Sequence, residues 1–172
     1  MKKENISARV LLVFYLLALI WILLFKLSAS MVDIREMFYS TPRHINWFPF
    51  KESVIVNNQF QISEIIDNIL IFLPFGGLLG LSFKKLNIVK VTGIVFLFTV
   101  IIETLQYLFG LGRADVTDIL MNTLGGLIGY LIYRIIKVVF PSQRTDRVLT
   151  KIGVGIFLVI LLLVLFIVVF NL

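Results

Sequence analysis

Five long apolar runs, at about 10–27, 65–83, 91–111, 116–133 and 152–170, constrain most strongly what this chain can fold into. A helix needs about 20 mostly apolar residues to cross a hydrocarbon core of ~30 Å, and each run comes close to that length. Lipid offers no hydrogen bonds, so a spanning segment must satisfy its own backbone, which points these runs to helices. The expected fold is an all-α integral membrane protein, a bundle of about five transmembrane helices forming a single domain over 1–172. Composition agrees, with 59% hydrophobic residues, 15% charged and a mean hydropathy of +1.02, against about 25% charged in a soluble domain. Little material is left for a separate water-soluble catalytic domain.

The runs differ in kind. Val10 to Phe25 lies between Arg9 and Lys26, whose long side chains can snorkel to the two interfaces. Met1-Lys2-Lys3 and Ser28-Ala29-Ser30 loosely resemble the flanks of a secretory signal, but the apolar stretch is long and four more runs follow, so an uncleaved first helix is the simpler account. The three middle runs are interrupted by Pro74, by Glu103, and by Asp118 with Asn122. The last run carries no charge and reads as a lipid-facing anchor.

Missing residue types narrow the chemistry. With no cysteine, the chain has no disulfide, thiolate metal site or Cys nucleophile. The single histidine, His44, cannot form a paired-His metal helix and reads as a solvated loop residue. No G-x-S-x-G or phosphate-cradling P-loop occurs, and neither a cofactor nor a resident metal is expected.

Basic residues set an expected orientation. Lys2, Lys3 and Arg9 precede the first run, Lys84, Lys85 and Lys90 join the second to the third, and Arg134, Lys137, Arg144, Arg147 and Lys151 join the fourth to the fifth. Those eleven oppose five on the other connections, Lys26, Arg35, Arg43, Lys51 and Arg113. The positive-inside rule then predicts a cytoplasmic N-terminus, an extracytoplasmic C-terminus and an extracytoplasmic loop at about 28–61. The net charge of +6 reads as topology and contact with anionic lipid, with no case for nucleic acid.

That orientation collects the intramembrane polar residues toward the outer side. Asp115, Asp118, Asn122, Gly125 and Gly129 step by three or four and share one face of the fourth helix, as do Thr99, Glu103, Gln106 and Gly110 on the third. A charge at a helix centre costs about 2.5–3.5 kcal/mol or more on insertion scales, so the two faces should turn toward each other. Gly76-x-x-x-Gly80 and Gly125-x-x-x-Gly129 would draw helices together on the inner side, leaving an open polar cleft outside. The expected cleft residues are Asn68, Glu103, Gln106, Arg113, Asp115, Asp118 and Asn122, with Glu103 and Asp118 the candidates for any catalysis. Asn122 and Gln106 fit interhelical hydrogen bonding as well as ligand binding, and Glu103 fits a protonated or Arg113-paired structural role as well as proton handling. In the long loop, Trp47, Phe48, Pro49 and Phe50 fit either an interfacial anchor or a lid over the cleft, with Arg43, Lys51 and Glu52 beside them.

Several motifs in order carry a family resemblance: Trp21 to Leu27 (WILLFKL), Asn46-Trp47-Phe48-Pro49-Phe50, Asp67 to Gly76 (DNILIFLPFG), Glu103-Thr104-Leu105-Gln106 and Asp115 to Gly126 (DVTDILMNTLGG). Together they resemble the VanZ family over most of the chain, which implies a multi-pass bacterial cell-membrane protein that lowers susceptibility to teicoplanin. Pro49, Phe50, Asn68, Pro74, Phe75, Gly76, Glu103, Gln106, Asp118, Asn122 and Gly125 match the family pattern. Arg113 departs from it, standing two positions before Asp115 where many relatives have a basic residue three before.

Teicoplanin carries a fatty acyl chain and acts on lipid-linked wall precursor at the outer surface. The leading expectation is therefore binding or shielding there, with membrane lipids, the precursor or the lipoglycopeptide as partners. Two other classes stay open. One is a membrane-embedded enzyme on a wall-lipid or polyprenyl-phosphate headgroup, with Glu103 as base and Asp115 and Asp118 holding Mg²⁺. The other is a transporter or flippase using its carboxylates as a relay.

Overall fold

The computed structural model describes residues 6–25, 44–50, 55–56, 59–60, 62–111 and 114–170. The described residues form five helices: α1 (Ile6–Phe25), α2 (Ile62–Ser82), α3 (Ile88–Phe109), α4 (Val116–Val139) and α5 (Gln143–Phe170). The first four are long and apolar enough to cross a membrane, and the chain is an all-α, multi-pass membrane protein. Short strands complete it: β1 (Ile45–Asn46), β2 (Ile55–Val56), β3 (Gln59–Phe60) and β4 (Ala114–Asp115). β2 and β3 pair antiparallel, whereas β1 and β4 pair in parallel, Ile45 opposite Ala114 and Asn46 opposite Asp115.

Local sequence sets the helix ends. Asn87 caps α3 by accepting from the Lys90 amide at 2.9 Å, and Asp115 caps α4 by accepting from the Thr117 amide at 2.7 Å. α3 stops at Gly110, whose φ of 65° suits glycine, and the Leu111 and Gly110 amides donate back to the Gln106 and Tyr107 carbonyls. α4 ends ahead of Pro141, which has no amide to continue the ladder. Ser142 then caps α5 by accepting from the Thr145 amide at 3.2 Å.

The helices run alternately up and down, so the bundle has two distinct ends. One gathers the starts of α1, α3 and α5 with the ends of α2 and α4; there Arg9 lies 4.9 Å over the Phe83 ring and Lys84 pairs with Asp146 at 3.1 Å. At the other, the Gln106 amide donates to the Leu23 carbonyl at 3.0 Å, joining the ends of α3 and α1. The closest packing is between α2 and α4. A Cβ added at Gly76 would fall on the Gly126 carbonyl, one at Gly129 on the Leu73 carbonyl, and one at Gly125 against Ile69 backbone. These glycines bring two backbones into contact, the small-residue packing that membrane helices use where hydrophobic burial gives little drive.

α1 packs on α2, and the Tyr15 hydroxyl donates to the Ile71 carbonyl, one residue along from the Leu70 carbonyl whose amide partner Pro74 removes. α5 makes few contacts and exposes Ile156, Leu158, Val159, Ile160 and Leu162, as a lipid-facing helix would. Two helices outrun the apolar stretches within them. α4 continues six residues past 133 to Val139, and α5 begins at Gln143 rather than near 152, because the Ser142 cap and an Asp146 ion pair with Lys137 support a polar first turn.

A buried polar cluster under an aromatic clip

At the end of the bundle where α3 stops and α4 starts, buried polar groups connect four segments. The Glu103 carboxylate accepts from the Asp115 amide at 3.0 Å, so a side chain on α3 holds the first residue of the α4 cap. The other Asp115 oxygen accepts from the Asn46 amide group, also at 3.0 Å. Deeper, Asn122 donates to the Thr99 hydroxyl at 2.9 Å, tying α4 to α3 one turn below. Asn68 on α2 donates to Asp118 at 2.7 Å.

Asn46, Thr99, Glu103, Gln106, Asp115, Thr117 and Asn122 are all buried, and Asp118 is half-buried. Two acceptors in this set, Asn122 Oδ1 and Gln106 Oε1, are shut from solvent with no hydrogen-bond partner among the described residues. Each has unsatisfied capacity in a medium where polar groups are costly to leave alone.

Among the described residues these side chains form a covered cluster and no open cleft. The reason is the 44–50 segment: its β1 strand pairs with β4, the Ala114 amide donates to the His44 carbonyl at 3.1 Å, and Asn46 seats itself against Asp115. Asn46 then turns the chain, its carbonyl oxygen accepting from the Phe48 amide at 3.2 Å. The Phe50 amide donates to the Thr117 hydroxyl at 3.0 Å, and Phe50 takes a φ of 63°, unusual for a bulky residue. Backbone and asparagine bonds hold the segment down while Trp47, Phe48, Pro49 and Phe50 point away, Trp47 at 69% and Phe48 at 65% exposure. The segment is both a cover over polar groups and a set of exposed aromatics.

Of the residues expected from sequence, Asn68, Glu103, Asp115, Asp118 and Asn122 are joined to their neighbours as above, and Gln106 is turned to α1. Arg113, with Arg43, Lys51 and Glu52, lies outside the described residues. Glu64 and Asp67 on α2 are exposed. Among the described residues no three carboxylate or imidazole side chains converge around a common point.

Three participants are less evident in sequence. Asn46 is hidden beside three aromatics and a proline in a loop, and Thr117 reads as an ordinary first-turn residue; the D-x-T spacing of an Asx cap was the available signal. Asp146 gives no intramembrane signal, yet at the opposite end of the bundle it binds Lys84 at 3.1 Å and Lys137 at 3.2 Å.

A family model described as VanZ/LLP1 matches residues 12–137. Protein VanZ of Enterococcus faecium is 36% identical over 160 residues, spanning 93% of this chain and 92% of that protein. No solved structure matches the chain.

Proposed function

Because the chain belongs to the VanZ family, we propose that it acts in the bacterial cell membrane to lower susceptibility to teicoplanin-type lipoglycopeptides, by binding or shielding at the outer leaflet beside lipid-linked wall precursor. The observation that carries this reading is the exposed Trp47–Phe50 segment clipped onto a buried polar cluster. Tryptophan and phenylalanine partition to the headgroup level, so the segment is suited to meet an acyl chain entering or lying in that leaflet. The polar bonds beneath it fix its position, so the aromatics are offered without a large ordering cost on binding.

Outer-leaflet placement is supported by the distribution of charge: the end opposite this cluster carries eleven basic residues by sequence connection, as cytoplasmic loops do. Glu103 and Asp115 oxygens accept from the Asp115 and Thr117 amides, which ties both carboxylates to the α4 cap beneath the aromatic segment.

The test is paired susceptibility. Cells carrying the Trp47→Ala/Phe48→Ala protein, at wild-type membrane abundance, should lose most of their protection against an acylated glycopeptide and show little change toward a non-acylated one. Equal changes toward both compounds would remove the acyl-chain reading.

A further inference from the structure

The opposite end of the bundle carries a second site with its own chemistry. An apolar groove of about 460 Å³ runs between α1, α2, α4 and α5, walled by Tyr15, Leu73, Gly77, Ile132, Ile156 and Ile160. Its size falls in the range of about 300–1,000 Å³ that takes small-molecule ligands. Along α5 it reaches from Leu149 to Ile160, a rise of about 16 Å at 1.5 Å per residue, which is one leaflet of a ~30 Å hydrocarbon core.

Tyr133 lines this groove and also belongs to the charged group at its rim. The Lys84 ammonium donates to the Tyr133 hydroxyl at 2.6 Å and pairs with Asp146 at 3.1 Å, while Lys137 reaches the other Asp146 oxygen at 3.2 Å. Among the described residues two ammonium groups share this one carboxylate, and Lys137 also donates to the Ser142 carbonyl at 2.7 Å. Lys85, Arg144 and Arg147 adjoin it in sequence, and at this end by connection only Glu4 and Asp146 oppose eleven basic residues. An apolar slot one leaflet deep that opens beneath a fixed cationic rim matches a lipid with an acyl chain and a phosphate.

We propose that this groove is a specific site for an anionic glycerophospholipid of the leaflet at the basic end, one acyl chain lying between α4 and α5 and the headgroup phosphate at Lys84 and Lys137. The site is separate from the aromatic clip and stands or falls independently of the resistance role. Occupancy gives α5, which has few protein contacts of its own, a second means of attachment to the bundle.

The test uses the full chain reconstituted in phosphatidylcholine vesicles containing a trace of spin-labelled phosphatidylglycerol or spin-labelled phosphatidylcholine, with the motion-restricted fraction of each label read by electron paramagnetic resonance. The wild-type protein should favour phosphatidylglycerol by about fivefold per lysine engaged. Lys137→Gln, which keeps the Lys84–Asp146 pair, should lose most of that preference. Gly77→Leu fills the groove at a position where an added Cβ meets only ordinary contacts, and it should release both labels while the helical signal is unchanged. Equal retention of the two lipids by wild-type protein would overturn the proposal. So would a phosphatidylglycerol preference that survives Gly77→Leu, since that is diffuse surface charge and no built site.

Discussion

Asn122 is 1% exposed, gives one hydrogen bond to Thr99, and keeps a buried oxygen with no partner among the described residues. A residue that served only to join helices would be expected to satisfy both ends of its amide. Interhelical hydrogen bonds in membranes average about 0.6 kcal/mol, so Asn122→Ala, which also opens a small void, should lower stability in detergent by about 1–2 kcal/mol. Chemical unfolding followed by helical signal measures that. Glu103 separates the roles more sharply. Glu103→Gln keeps an oxygen able to accept from the Asp115 amide but removes the ionisable group. It should reach the membrane at wild-type level and, if the cluster serves the resistance role, leave cells several-fold more susceptible to teicoplanin. Glu103→Ala withdraws that acceptor from the α4 cap and should reduce abundance as well. Equal resistance in the Gln variant and wild type would return Glu103 to a purely structural position.

At the scale of elements, α2 and α4 form the rigid pair to which the rest attaches. Gly76→Ala puts a methyl group onto the Gly126 carbonyl, where backbone must move. The cost should approach 3 kcal/mol, the top of the usual overpacking range. Gly93→Ala on α3 meets nothing within 4 Å and should be neutral or stabilising by up to about 1 kcal/mol. Thermal unfolding of the two variants in one detergent tests the contrast. The glycine spacing was legible in sequence because close backbone approach demands small residues at a four-residue repeat, and the facing polar stripes of α3 and α4 were legible because lipid penalises them anywhere else. What was not legible is the 44–50 cover. Its position depends on a two-residue parallel pairing with residues 114–115, far along the chain, and on Asn46 reaching Asp115. Short non-local pairings leave no periodic pattern, so the polar stripes implied an open cleft where a clip in fact lies. The basic end of α4 beyond 133 and the polar start of α5 escaped apolar-run reasoning for a related reason: a cap and an ion pair extend a helix without adding hydropathy.

Taken whole, the molecule is a charge-asymmetric bundle. By connection, eleven basic and two acidic residues belong to one end, and five basic and eight acidic residues to the other. Alternating helices make that division geometric as well as sequential, since Arg9, Lys84, Lys137 and Asp146 meet at the basic end and Asn46, Glu103 and Asp115 at the acidic end. Anionic lipid and the inward bias of positive loops both predict a cytoplasmic basic end, each lysine near such a surface contributing about 1 kcal/mol. The chain's lack of cysteine makes sidedness directly measurable. Glu64 at the start of α2 and Ser142 before α5 are exposed at opposite ends, so Glu64→Cys and Ser142→Cys each introduce one reactive thiol into an otherwise inert background. An impermeant maleimide should label Glu64→Cys in intact cells and Ser142→Cys only after the membrane is permeabilised. The reverse pattern would put the aromatic clip in the cytoplasm, where it could not meet an antibiotic at the outer surface, and would sink the proposed function while leaving the helix packing untouched. Labelling of both sites in intact cells would mean mixed insertion, which a bias of this size should prevent.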